Sequence, residues 1–241
     1  MKMIVIDVGN TNIVIGIYLK KKLDKVFRTN TQKNKKKFIK EFELFLKSKE
    51  KKIFNSKNEI CVLSSVVPSL NLLIKKIFIK KKIKFYIIDS KKIPIDINIK
   101  YKLNQIGSDR VANYAAIYNK KILNSIIIDF GTATTFDVIK DNEYHGGLIF
   151  PGITLSMSSL INNTELLKKS KISKVNKIVA RDTISSIKSG FYFGYLHAIN
   201  GILKQIITEK KFKPKIIITG GLGEIFKDKL YFKTIYDKNL T

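Results

Sequence analysis

A chain of 241 residues that is 44% hydrophobic can bury one large core or two of roughly 120 residues each. Its single cysteine, Cys61, excludes an intrachain disulfide and any thiolate metal cluster. The formal net charge of +27 points first to nucleic acid, but 43 of the 46 basic residues are lysines and only Arg28, Arg110 and Arg181 are arginines, so the guanidinium groups that read and stack on bases are scarce. Lysine runs such as Lys20 to Lys22, Lys35 to Lys37 and Lys80 to Lys82 read as solvated surface, with salt-sensitive attraction to polyanions as the alternative; no specific nucleic-acid partner is expected.

The chain opens on Ile4, Val5 and Ile6, a continuous apolar run suited to a strand covered on both faces, and the run ends in an acid, Asp7. Gly9, Asn10, Thr11 and Asn12 supply turn chemistry before a second β-branched run, Ile13 to Ile17, which together predict a hairpin with a polar tip. Because Asp7, Gly9, Asn10 and Asn12 interrupt the apolar start, no leader peptide or membrane span is expected, and the reading is a cytoplasmic protein. A third strand is predicted over Lys25 to Thr29, and a helix over Lys35 to Lys47 that lines up Phe38, Phe42 and Phe45. Glu59 to Ser65 reads as a strand with Cys61 as core packing, Pro68 starts a helix through Leu72, Leu73 and Ile77, and Lys84 to Ile88 is another strand. Gln105 to Asn119 reads as a helix with an acid and a hydroxyl at its start. Strands then follow at Ser125 to Phe130, Thr134 to Lys140 and Gly147 to Phe150, helices after Pro151 and Arg181, and a strand at Lys215 to Thr219 that runs into Gly220, Gly221, Leu222 and Gly223. His145 and His197 read as structural or surface residues. No Walker A string, G-x-G-x-x-G fingerprint, zinc-type Cys/His spacing or H-E-x-x-H motif occurs.

One pattern recurs. Ile126 to Lys140 repeats the opening segment at an offset of 122 residues, matching Ile4 with Ile126, Ile6 with Ile128, Asp7 with Asp129 and Gly9 with Gly131. A strand, an acid, one residue, a glycine and a tip rich in hydroxyls or amides suit phosphate: glycine admits close approach, turn N–H groups converge on an anion, and the carboxylate can hold a magnesium ion. A single such hairpin is equally an ordinary turn, but the spaced pair predicts two halves, 1–120 and 121–241, each an α/β unit with a mixed sheet flanked by helices and with the two hairpins facing each other.

The strings D-V-G-N-T-N at Asp7, G-S-D-R at Gly107, D-F-G-T-A-T-T at Asp129, G-G-L-I-F-P-G at Gly146 and T-G-G-L at Thr219 resemble, in order and spacing and over nearly the whole chain, those of type III pantothenate kinases, within the actin, sugar-kinase and heat-shock ATPase superfamily. The resemblance implies two similar actin/ribonuclease H-like domains. It also implies ATP-dependent phosphorylation of pantothenate to 4′-phosphopantothenate, the first step towards coenzyme A, with Mg²⁺ and a monovalent cation, K⁺ or NH₄⁺, as cofactors. Residue by residue, Asp7, Val8, Gly9, Asn10, Thr11, Asn12, Ile13 and Val14 match the ATP-phosphate hairpin and Thr132 a second ATP contact. Asp7 is expected to organise Mg²⁺ through water. Asp129 corresponds to the monovalent-cation ligand; the plainer reading is a strand-end acid bonding turn amides. Asp109 is the catalytic candidate, a carboxylate that orients the primary alcohol and accepts its proton, against the alternative that Ser108 or Asp109 caps the following helix.

Tyr101, Gly107, Ser108, Arg110 and Thr183 align with pantothenate-contacting positions, Arg110 being suited to the substrate carboxylate. A homodimer with a shared substrate site is implied, Thr183 serving the partner's pocket, and the apolar surplus of Ile184 to Ile207 with Phe191, Tyr192, Phe193 and Tyr195 fits a two-fold interface; the alternative is an internal helix that Thr183 caps. Three features depart from the family pattern. The segment after Tyr101 is one residue short, Ser108 replaces a small apolar residue, and Thr241 falls short of the usual tail, which is expected to weaken the last strand or the adenine side. Two other functions compete: a kinase of another small alcohol or sugar on the same fold, and an ATP-responsive regulator or polyanion-binding module, which would have no need of the acid in the substrate loop.

Overall fold

The computed structural model of the chain describes residues 2–32, 34–54, 59–89, 102, 105–165 and 171–241. The chain divides into two compact units, the described residues among 1–96 and 102–112 in one and those among 113–240 in the other. The border falls inside a helix, Ser108–Asn119, rather than in the segment that follows it.

The first unit runs β1 (Lys2–Val8), β2 (Asn12–Leu19), β3 (Lys22–Asn30), α1 (Lys35–Ser48), α2 (Glu50–Ile53), β4 (Ile60–Ser65), α3 (Pro68–Lys80), β5 (Lys84–Ile87) and the first turn of α4 (Ser108–Asn119). Its sheet has the order β3-β2-β1-β4-β5, with β1 antiparallel to β2 and parallel to β4. The period-2 alternation of a strand decides which residues go inside. Ile4, Ile6 and Val8 of β1 and Ile13, Ile15 and Ile17 of β2 point to one face, where they meet Phe38, Phe42 and Leu46 of α1 and Leu70, Ile74 and Phe78 of α3. Asn34 caps α1 by accepting from the Lys37 amide, and Pro68 opens α3, where a missing N–H costs nothing. Cys61 packs in this core, fully buried. Met3, Val5 and Asp7 on the other face of β1 are only half-buried, so the opening run is covered on one face rather than the expected two. At the start of the sheet Lys2 and Glu59, both nearly buried, pair at 3.0 Å, and the Lys2 ammonium also donates to the Ile53 carbonyl, since a charge inside a core must be matched.

The second unit continues α4 and adds β6 (Ser125–Phe130), β7 (Ala133–Lys140), β8 (Glu143–Pro151), α5 (Ile153–Asn162), α6 (Thr183–Lys210), β9 (Lys215–Thr219), α7 (Gly223–Phe226) and β10 (Thr234–Tyr236). Its sheet order, β10-β9-β6-β7-β8, is the first sheet's plan again: the strand carrying the acid is antiparallel to the next and parallel to a later one. Here Ile126, Ile127 and Ile128 are all fully buried, so β6 is covered on both faces. β8 begins earlier than the expected Gly147. His145, Gly146 and Gly147 break the apolar pattern: Gly147 pairs with Asp137 and Tyr144 with Ile139, and the register shifts between them where Gly146 takes φ 94°, a bulge that glycine tolerates.

The charge runs have structural consequences of their own. Lys20 and Lys21, both exposed, turn the β2–β3 hairpin at φ 48° and 69°, the two left-handed positions of a type I′ turn. In α6 the apolar surplus read as interface is mostly internal, because Tyr192, Tyr195, Leu196 and Ile199 pack into the second core. The helix is also open at Gly190, Gly194 and Gly201, where an added Cβ would meet nothing within 4 Å. Among the described residues no helix is long and apolar enough to cross a membrane.

Candidate functional site

In the first unit the site grows from the end of β1. Strand register sets Asp7 beside Val14 on one side and Ser64 on the other. The tip beyond it is tight, with the Gly9 amide donating to the Asn12 carbonyl at 2.9 Å. It is also tethered from outside: the Thr31 hydroxyl donates to the Gly9 carbonyl at 2.7 Å, and the Thr31 amide to the Thr11 carbonyl. Thr31 stands just past β3, and nothing in the D-V-G-N-T-N string points to it. The tip residues Asn10 and Thr11 are exposed while Ile13 is buried, so the hairpin offers polar groups on an anchored base.

Asp7 is electrostatically loaded. Burial pushes its pKa up to about 6, the Asp109 charge pushes the same way, and a hydrogen bond from Ser64 and the Arg28 guanidinium pull against them. Two carboxylates in electrostatic reach of each other are a site that a divalent cation relieves. Mg²⁺ takes only one or two carboxylates, the rest of its shell being water and phosphate oxygens. The residues present therefore fit such an ion.

Asp109 lies in the first turn of α4. The Val111 amide donates to the Gly107 carbonyl, which makes Gly107 the residue where the helix begins. The Asp109 carboxylate folds back and accepts from the Arg110 amide at 2.8 Å. It comes so close to Gly107 that a Cβ there would stand 2.4 Å from its oxygen. Glycine at 107 thus leaves room for the acid in this rotamer. Asp109 does bond a helix-start amide, as the capping alternative held. The Ser108 hydroxyl does not: it accepts from the Ser65 amide at 2.7 Å and donates to the Ser65 carbonyl at 2.9 Å. Arg110 is 6% exposed. Tyr101 lies outside the described residues.

The second unit repeats the chemistry. Asp129 lies beside Thr135 and Thr219 in strand register, so in both units a hydroxyl residue stands next to the acid on the parallel neighbour, Ser64 in one and Thr219 in the other. The turn after it is closed by the Gly131 amide donating to the Ala133 carbonyl at 3.1 Å. Gly152 packs so tightly beneath this turn that a Cβ would stand 2.0 Å from the Thr132 carbonyl oxygen. Gly220, at φ 85°, brings its backbone to where a Cβ would lie 2.5 Å from the Asp129 carboxylate. A carboxylate among close-packed turn backbone is a donor set suited to a large monovalent cation, and the fit rests on that glycine cradle. Thr183 is exposed as the first residue of α6, but it is Asp182 that caps the helix, accepting from the Ser185 amide at 2.9 Å. His145 faces Glu143 at 3.5 Å and His197 faces Tyr231, outside these clusters.

Comparison with known proteins places the chain. A family model described as type III pantothenate kinase matches residues 3–205. A type III pantothenate kinase of Persephonella marina is 39% identical over 243 residues, covering 98% of this chain and 93% of that one. Among solved structures, a Campylobacter jejuni protein described as a Baf family transcriptional activator superposes with a TM-score of 0.60 at 23% identity, covering 98% of this chain and 92% of that one. A ROK family glucokinase of Streptomyces griseus, solved with glucose and AMPPNP, has a TM-score of 0.50 at 10% identity and covers 95% and 86%. At those identities the two structures establish the shared fold alone.

The load on Asp7 has a measurable sign. With its folded pKa near 6, above the ordinary carboxylate value, the folded state holds this proton more tightly than the unfolded state. The stability that this supplies is present at low pH and is lost as pH rises through about 6. Asp7→Asn should therefore be more stable than the native protein at pH 8, by on the order of 2 kcal/mol, with the gain shrinking towards pH 4. Urea unfolding at the two pH values measures it, and a variant less stable than native at pH 8 contradicts the assignment.

Proposed function

The chain belongs to the type III pantothenate kinase family, and from that premise we propose how its residues phosphorylate pantothenate with ATP to give 4′-phosphopantothenate, on the way to coenzyme A. The observation that carries the reading is the approach of Asp109 to Asp7, close enough for the charge of one to raise the pKa of the other. It sets an acid on a glycine-backed helix start beside the acid of a phosphate-type hairpin. In phosphoryl transfer the protein contributes positioning and charge stabilisation more than covalent chemistry. Asp7 to Val14 hold ATP phosphates through turn amides and the Asn10, Thr11 and Asn12 side chains, and Thr132 makes a further ATP contact. Asp109 accepts the proton of the pantothenate primary hydroxyl as its oxygen bonds to the γ-phosphorus and the bond to ADP breaks. Gly107, Ser108, Arg110, Tyr101 and Thr183 form the substrate-binding set. Asp7 would anchor a divalent ion, Mg²⁺, which would supply charge neutralisation for the phosphates, and Asp129 would hold K⁺ or NH₄⁺. The protein works as a cytoplasmic homodimer, the open glycine face of α6 at Gly190, Gly194 and Gly201 packing on its two-fold mate and Thr183 of one chain serving the substrate site of the other.

Three outcomes follow. Asp109→Asn keeps the side chain's shape and removes the proton acceptor, so kcat should fall by roughly 10² or more while ATP affinity is kept; near-native turnover would return Asp109 to a capping role. With Mg²⁺ present, activity should need K⁺ or NH₄⁺ and be poor in Na⁺ alone, and equal rates in the three salts would remove the role given to Asp129. Mixing inactive Asp109→Asn and Thr183→Arg chains should restore roughly a quarter of the sites by random pairing in a two-fold dimer. Absence of rescue, with mixed dimers confirmed by mass spectrometry, refutes the shared site.

A further inference from the structure

The parallel ladder between β4 and β5 stops early. Its last paired residues are Leu63 and Ile87, and the Ile88 amide closes it by donating to the Leu63 carbonyl at 2.8 Å. Ser65 lies two residues further on, paired with Val8 of β1 on its other side. In an extended strand the N–H and C=O of one residue point the same way, so Ser65 turns both towards the place where β5 would have continued. Among the described residues no strand pairs there. The Ser108 hydroxyl fills that place, accepting from the Ser65 amide at 2.7 Å and donating to the Ser65 carbonyl at 2.9 Å. One side-chain oxygen thus does the work of a neighbouring strand residue. The Ser64 hydroxyl lies 3.3 Å away from it, a longer contact beside the two that Ser108 makes to Ser65. The bonds go out from the first turn of α4, directly between Gly107, where the helix begins, and Asp109.

We propose that Ser108 is a positioning residue: its hydroxyl pins the G-S-D-R loop to β4 at Ser65 and thereby sets where Asp109 stands. The proposal rests on the reading of Asp109 as proton acceptor. The geometry already gives this hydroxyl its partners, because its proton goes to the Ser65 carbonyl and it accepts from the Ser65 amide, with the Ser64 hydroxyl 3.3 Å away. Within the substrate-binding set, the Ser108 hydroxyl consequently acts by holding the loop. A loss of registration on the order of 1 Å at a reacting group can cost as much as about 10² in rate, so one hydroxyl has leverage here out of proportion to its size.

The test compares Ser108, Ser108→Ala and Ser108→Thr in the full-length protein, reading kcat, the KM for each substrate, and hydrogen exchange at the Ser65 amide. The alanine variant should lose roughly tenfold in kcat with the KM for ATP unchanged, and its Ser65 amide should exchange roughly tenfold faster, since its partner is gone. Threonine, which keeps the hydroxyl, should keep turnover to the extent that it keeps Ser65 protected. Faster exchange with native kcat in the alanine variant would make Ser108 purely structural and overturn the proposal, as would lost kcat with Ser65 still protected. In an Asp109→Asn background Ser108→Ala should cost no more than about twofold further, because no base is left to position; a second full tenfold loss overturns the proposal. Asp109→Asn by itself reports separately on the base, so a fault in that assignment and a fault in this one give different results.

Discussion

An acid at the end of a central strand, next to a glycine turn, is the constraint on which the rest of this protein depends. In each sheet the acid-bearing strand has an antiparallel hairpin partner on one side and a parallel strand on the other. That arrangement fixes Asp7 and Asp129 in direction while leaving both half-buried at the rim. Placing a carboxylate there costs stability, as the raised pKa of Asp7 records, and functional sites commonly carry such a cost. The core beneath it is correspondingly conservative, with β-branched residues on the sheet and Phe38, Phe42 and Phe78 on the helices that cover it.

The glycines follow from the same constraint. Gly107, Gly152 and Gly220 each sit where a Cβ would come within 2.5 Å of Asp109, Thr132 or Asp129, so three separate glycines let backbone or carboxylate approach the site-bearing turns. Only Gly220 needs a left-handed backbone, at φ 85°; at Gly152 the demand is space against the Thr132 backbone, and Gly107 leaves room for the Asp109 carboxylate. The shared fold says nothing by itself about the reaction. The reaction is argued from the family to which the chain belongs and from the acid on the substrate loop, which a nucleotide-binding scaffold alone would not require.

Much of the architecture was legible in the sequence because local signals and tertiary structure agree. The two hairpins, the helix that presents Phe38 and Phe42, and the Pro68 helix start are all written in patterns of period 2 or 3.6. The internal match of Asp7 to Asp129 anticipated two sheets of one design, and the match extends to strand order and direction. What escaped was decided by residues far apart in the chain. Ser64, Ser65 and Thr31 carry no motif, yet they anchor Ser108 and Gly9 through contacts spanning 43 and 22 residues. β10 is three residues of mixed character, stabilised by pairing with β9 and not by any pattern of its own. The aromatic excess of α6 divides between two surroundings that periodicity does not tell apart: Tyr192 and Tyr195 enter the second core, while Phe191 and Phe193 are only partly buried against it.

The most direct test of the account is to incubate the purified protein with ATP, Mg²⁺, K⁺ and pantothenate, following ADP release and the ³¹P spectrum of the product together, beside a panel of hexoses and other small alcohols. The account predicts one new phosphomonoester on the primary hydroxyl of pantothenate, formed in step with ADP, and no comparable turnover of the sugars. Release of ADP with a hexose but not with pantothenate, or ATP hydrolysis that no acceptor alters, would contradict it.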